Sequence, residues 1–185
     1  MVNKITLLLC DTYPGLLPES IPSHESMFYD LFRPVNPDLT FDICRVMDGE
    51  LPERFESGTL YIIPGSNNAA YDDLPWIITL QDWIREAAAR KVPLVVNHHD
   101  QVLQLPEGAT PLATSDFCRY EGFRIGKHIL TFQGHPEFTV DYERHLILNH
   151  SENEDDAVKQ RALETLKAMR PQGNVVAEFL MGFFA

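Results

Sequence analysis

The most suggestive spacing in the chain is Gly134-His135-Pro136-Glu137. In extended backbone, residues i and i+2 project to the same side, so the imidazole of His135 and the carboxylate of Glu137 can meet. A carboxylate that accepts the imidazole N–H fixes the tautomer and stabilises the imidazolium, which leaves the other ring nitrogen as a general base. A second candidate is Pro64-Gly65-Ser66-Asn67-Asn68. Glycine there lets backbone N–H groups come close to a ligand, as an oxyanion hole requires. A third is Asn97-His98-His99-Asp100. Adjacent histidines on a strand point to opposite faces and make a poor metal pair, whereas His98 and Asp100 share a face and, with His135, offer a metal set that no spacing specifies. Each motif also has an ordinary reading, as a strand-end histidine, a Gly/Asn turn or a hydrogen-bonded strand end. The sequence calls for no cofactor.

These residues need elements to hold them. Ile5 to Cys10 reads as a strand buried on both faces. Ser23 is placed to cap a helix carrying Met27, Phe28, Leu31 and Phe32, which Pro34 stops. Phe41, Ile43 and Val46 suggest a second strand ending at Asp48-Gly49, and Leu60 to Ile63 a third, broken by Pro64-Gly65. A helix from about Leu74 to Lys91 starts with Pro75 in its first turn and puts Trp76, Leu80, Trp83, Ile84 and Ala87 on one face. Pro93 to Val96 and Ile129 to Gln133 are further strands that run directly into the third and first motifs. Thr139 suits the cap of a helix with Tyr142, Leu146 and Ile147. The acidic stretch from Ser151 to Asp156 suits the first turn of a helix reaching about Met169. Pro171-Gln172-Gly173 ends that helix, and Val175 to Phe184 is apolar enough to dock back. This alternation of strand and helix is the pattern of an α/β fold in one domain spanning residues 1–185.

Composition narrows the function classes. The 185 residues carry 15 Lys+Arg against 27 Asp+Glu, a net charge of −12. So acidic a surface repels phosphate backbones and anionic headgroups, which argues against nucleic acid and membrane surfaces as partners. Uninterrupted apolar runs are too short to span a bilayer, and the first residues lead into no signal-peptide core. The three cysteines, Cys10, Cys44 and Cys118, are widely spaced and odd in number, so they read as free thiols in a soluble cytoplasmic protein.

Taken in order, the segments resemble the class I glutamine amidotransferases, especially stand-alone relatives of the glutaminase domain of GMP synthase. The resemblance rests on Ile5 to Cys10, Tyr61-Ile62-Ile63-Pro64-Gly65-Ser66, Tyr71-Asp72-Asp73, Asn97 to Val102, Leu105-Pro106-Glu107-Gly108-Ala109, Gly122-Phe123 and Phe132 to Glu137. It implies an open, mostly parallel twisted sheet flanked by helices, flavodoxin-like in class. It also implies hydrolysis of glutamine to glutamate and ammonia by a Cys-His-Glu triad. His135 and Glu137 match the last two triad members, Gly65 and Ser66 the oxyanion-hole loop, and Asn97, His98 and Asp100 the segment that holds glutamine. In intact relatives the ammonia passes to a synthetase, either a separate partner or part of the same assembly.

One part of the pattern is missing. The family runs a strand into Gly-x-Cys-x-Gly-[HQ], the sharp elbow that exposes its nucleophile. Here Lys91 to Val95 copies that strand, but Val96-Asn97-His98-His99-Asp100 follows at once, as though a segment were cut near Val95-Val96. Cys44, inside a strand, reads as a core thiol, and neither Cys10 nor Cys118 follows a strand with the glycines of an elbow. The chain is therefore expected to be inactive as a glutaminase. A non-catalytic protein that binds glutamine or a partner is the first alternative, and a metal-binding domain the second. Loss of a helix over one sheet face should also expose apolar surface for self-association.

Overall fold

The computed structural model describes residues 1–11, 17–98, 100–116, 118–151 and 154–185. These fall into two compact units. The first comprises Met1–Thr12, Asp38–His135 and Leu180–Ala185, and the second Tyr13–Pro37 and Pro136–Phe179.

Among the described residues, the first unit holds every strand. They are β1 (Lys4–Leu9), β2 (Thr40–Arg45), β3 (Thr59–Ile63), β4 (Leu94–Asn97), β5 (Ala109–Ala113), β6 (Gly122–Ile125) and β7 (Ile129–Phe132), in the order β2-β1-β3-β4-β7-β6-β5. The first five of these in space run parallel, with Lys4 opposite Thr40 and Thr59, Ile63 opposite Val96, and Asn97 opposite Phe132. β6 and β5 run antiparallel at the far edge. The expected open, mostly parallel sheet is thus present. Chain order reverses beside β1, with β2 on one side and β3 on the other. Such a switch point leaves a crevice at the carboxyl ends of the strands.

The continuous apolar runs produce strands without exposed faces. Ile5, Leu7, Leu8, Leu60 and Leu94 are fully buried. Two strand expectations need correction. The second strand stops at Arg45, and Val46–Asp48 forms a 3-10 turn ended by Gly49 at φ +87°, a left-handed residue that glycine adopts readily. β5 and β6 were not expected: Ala109–Ala113 is largely exposed and contains Pro111, which an edge strand tolerates because no inner partner needs its N–H.

Helix α2 (Pro75–Ala89) follows β3, with Pro75 in its first turn and Leu74 at its N-cap. Its core-facing side packs Trp83 and Ala87 with Tyr61, Leu8, Val92, Leu94 and Ile129. Phe55, Tyr61 and Trp83 make ring contacts with centroids 5.0–6.0 Å apart, and the indole N–H of Trp83 donates to the Pro52 carbonyl at 3.2 Å.

The second unit is helical. α1 (His24–Phe32) starts where expected, with Ser23 Oγ accepting from Ser26 N–H at 3.2 Å. α3 (Val140–Asn149) is capped by Thr139, whose Oγ1 accepts from Tyr142 N–H at 3.1 Å. α4 (Asp156–Ala168) is capped by Asp155, so the acidic stretch lies mostly ahead of the helix rather than inside its first turn; residues 152 and 153 lie outside the described residues. α5 (Gly173–Phe183) begins in this unit, at a glycine where a Cβ would overlap the Pro136 carbonyl, and its last turn belongs to the first unit.

Candidate functional site

Three strand ends converge in the first unit. β3 runs into Pro64 and Gly65, and Gly65 sits at φ +100°, a backbone conformation that strains any residue with a Cβ. A Cβ there would lie 3.6 Å from the Asn97 carbonyl oxygen and 3.9 Å from His135 Cε1. Gly65, Asn97 and His135 are therefore neighbours, as the motif positions anticipate.

The ends of β4 and β7 are laced together by side chains. Asn97 Nδ2 donates to the Gly134 carbonyl at 3.0 Å, and Gln133 Nε2 donates to the His98 carbonyl at 3.2 Å. The His98 N–H continues the ladder by donating to Phe132 O at 3.2 Å. Buried Asn97 thus holds the backbone just before His135. Ser66 uses its hydroxyl locally, accepting from Asn68 N–H at 3.0 Å, while Asn67 N–H donates to the Asp11 carboxylate at 2.9 Å. The loop after β3 is consequently tied both to itself and to the segment that follows β1.

His98 turns its Nδ1 to the backbone carbonyl of Asp100 at 3.0 Å rather than to that residue's carboxylate. Burial lowers its pKa from the ordinary histidine value, against the raising effect of its hydrogen bonds with the Asp100 carbonyl and the Gln133 side chain; the charge of His135 lowers it further. His98 is therefore a neutral hydrogen-bonding group at neutral pH. Among the described residues, His98, Asp100 and His135 do not form a three-ligand cluster. His99 lies outside the described residues.

Cys10 follows β1 at the same end of the sheet. It is 3% exposed, its Sγ donates to the Leu8 carbonyl at 3.3 Å, and burial with the nearby Asp11 charge pushes its pKa up to about 12. Burial also raises the pKa of half-buried Cys44 on edge strand β2. Cys118 is buried, with its N–H on Ser115 Oγ at 3.1 Å; Phe117 beside it lies outside the described residues. A nucleophilic thiol must ionise near neutral pH, and at Cys10 and Cys44 the surroundings oppose this.

Glu137 belongs to the second unit, where it is 4% exposed. Its Oε1 lies 3.2 Å from Nε2 of buried His24 at the start of α1. The His24 ring contacts Phe28, Phe138 and Tyr142, with centroids 5.2, 5.8 and 6.4 Å away. Sequence reading missed His24, which stands 113 residues from its partner. The one signal in the sequence was a histidine directly after a capping serine, on a helix whose apolar residues share one face.

No family model matches the chain. Individual proteins do. Gamma-glutamyl peptidase 3 of Arabidopsis thaliana is 56% identical over 44 residues, 24% of this chain and 18% of that protein. Gamma-glutamyl peptidase 4 of the same plant is 27% identical over 201 positions, 75% of this chain and 77% of the relative. One component of the glutamine-hydrolyzing GMP synthase of Archaeoglobus fulgidus is 35% identical over 83 residues, 42% of this chain and 45% of that protein. A glutamine amidotransferase structure from Thermotoga maritima superposes with a TM-score of 0.69 at 16% identity, covering 100% of this chain and 97% of that one, which establishes the shared fold. Of the 201 positions aligned with gamma-glutamyl peptidase 4, this chain fills 75% of its 185 residues, about 139, so roughly 60 positions have no counterpart here.

Proposed function

We propose that this chain, which belongs to the class I glutamine amidotransferase family, keeps the binding side of a glutaminase site and lacks the nucleophile that would complete it. In the reaction a cysteine thiolate attacks the side-chain amide, ammonia leaves with a proton from the imidazolium, and water releases the γ-glutamyl thioester as glutamate. On this reading His135 is the base and Glu137 orients it. Gly65 and Ser66 are the oxyanion-hole loop, and Asn97, His98 and Asp100 hold the γ-glutamyl substrate. Glutamine and a γ-glutamyl peptide present the same γ-glutamyl group, so both relatives' names are compatible with one pocket. In this reading both compact units form one amidotransferase-like domain, the protein works in the cytoplasm, and an active ancestor passed ammonia to a synthetase partner.

The observation that carries the inactive reading is the state of Cys10. It is the cysteine beside the strand ends, and it is a buried, protonated thiol without an elbow. The roughly 60 aligned positions without a counterpart here are, in total, enough to hold an elbow and its helix. His135 and Glu137 without a thiolate cannot form the acyl-enzyme, and loss of a triad nucleophile removes orders of magnitude in rate. The chain then serves as a γ-glutamyl-binding or partner-binding protein. The test is calorimetric titration with L-glutamine beside an ammonia-release assay. Binding without turnover is expected. Turnover at a rate typical of enzymes, on the order of 1 per second or faster, contradicts the inactive reading, and absence of binding contradicts the binding role.

A further inference from the structure

We propose that His145 and His150 form a two-imidazole site for a divalent transition-metal cation of the zinc class, at the C-terminal end of α3. The site lies wholly within the second unit and uses none of the residues assigned to γ-glutamyl binding, so it stands whether or not that reading holds. The two rings have centroids 5.4 Å apart, with planes inclined at 54°. Two imidazoles on one tetrahedral zinc, with Zn–N bonds of about 2.0–2.1 Å, hold their ring centres roughly 5 Å apart. The pair is therefore already at chelating distance, and inclined rather than stacked rings can turn their nitrogen edges to one ion.

The local backbone explains the meeting. Five residues further along a continuing helix, a side chain stands about 140° round the axis, on another face. His150 instead leaves the helix as its C-cap, at φ −131° and ψ 14°, while its N–H still donates to the Leu146 carbonyl at 2.8 Å. Ser151 Oγ donates to the same carbonyl at 3.3 Å, which fastens the chain just beyond His150. Asn149 Nδ2 donates to the His145 carbonyl at 2.9 Å and approaches His145 Nδ1 at 3.3 Å. A donor at Nδ1 puts the ring proton on Nε2 and leaves the Nδ1 lone pair as the metal ligand. The Asn149 amide keeps its shorter bond when an ion takes that lone pair. The field also favours a cation. The last turn of α3 carries no lysine or arginine, and a helix C-terminus is the negative end of the dipole. Adjacent Arg144 is paired with Asp141 at 2.6 Å, in a chain of net charge −12. Neutral imidazoles select borderline-soft metals over magnesium and calcium, which prefer oxygen.

The probe is Zn²⁺, titrated into the full chain and followed through the ring carbon–proton resonances of the histidines. His145 and His150 should shift on one shared saturation curve that completes below a millimolar. His145 is half-buried and His150 exposed, both outside the core. His145→Gln and His150→Gln each remove one ligand, so each should weaken zinc binding at the remaining ring at least tenfold. Magnesium in excess should leave the curve unchanged. Zinc that leaves the two rings in place, whatever it does elsewhere, overturns the proposal, as does movement of the two on unequal curves. Equal affinity in either folded variant, or displacement by magnesium, overturns it too. The titration of the unmodified chain decides the matter if a variant does not fold. Glutamine titration of the same samples reports on the γ-glutamyl reading alone, so the two proposals fail separately.

Discussion

Two sides of α2 rest on the same sheet and meet different surroundings. Towards its C-terminal end, Trp83 and Ala87 pack against Tyr61, Leu94 and Ile129, with Phe55 closing an aromatic cluster. On the adjoining side of the helix, Trp76, Ile77, Leu80 and Ile84 border a cavity of about 440 Å³, with Leu80 in the same cluster and Trp76 and Ile84 packed against it. The residue types are similar, so hydrophobicity alone does not separate structure from site. What separates them is whether neighbouring elements fill the space opposite, since close packing supplies stability and an unfilled wall supplies a binding surface.

The largest expected effect comes from breaking the packed end. Trp83→Ala should destabilise the chain by about 3–5 kcal/mol, as for other buried aromatic truncations. Ile84→Ala, half-buried against the same cluster and bordering the cavity, should cost less, about 1–2 kcal/mol. Urea denaturation of both variants checks the contrast, and equal losses would remove it. His24→Ala should cost about 1–3 kcal/mol, the usual penalty when a buried polar group loses a partner, since the ring bonds Glu137 at 3.2 Å. Rescue towards the parent stability is expected when Glu137→Leu is added, because no carboxylate then needs the imidazole.

Gly65→Ala sharpens the comparison at the loop after β3. A Cβ added at Gly65 would make only ordinary contacts, the nearest at 3.6 Å, so the cost is backbone strain at φ +100°, about 1–2 kcal/mol. Chemical denaturation reads that cost, and a variant as stable as the parent would show that the loop relaxes freely.

The smallest effect is in pH. Burial lowers the pKa of His98 in the folded chain below its ordinary value of 6.5. Below pH 6.5 the unfolded state therefore binds more protons at this position, so the contribution is intact above pH 6.5 and is lost as the pH falls towards the folded-state pKa. His98→Gln should flatten that limb of the stability profile, and an unchanged profile would remove His98 from it.

Much of the fold was legible because local and global signals agreed. Continuous apolar runs marked β1, β3, β4 and β7, and Ser23 and Thr139 marked helix starts that the structure places at those residues. β5 and β6 were illegible because an exposed edge pair needs little apolar pattern and Pro111 disguises it further. In the site, Gly65, Asn97 and His135 were readable from their places at strand ends. His24 was not, because its partner stands 113 residues away and only tertiary packing joins them. The state of Cys10 was also hidden, since burial, more than the charge of adjacent Asp11, pushes its thiol pKa up.

The central claim is a γ-glutamyl site without a nucleophile, and intact mass after incubation with 6-diazo-5-oxo-L-norleucine, a glutamine mimic that alkylates glutaminase thiols, tests it most directly. The account predicts one species at 21.1 kDa with no adduct. A stoichiometric adduct, or a parent mass several kilodaltons higher, would contradict it.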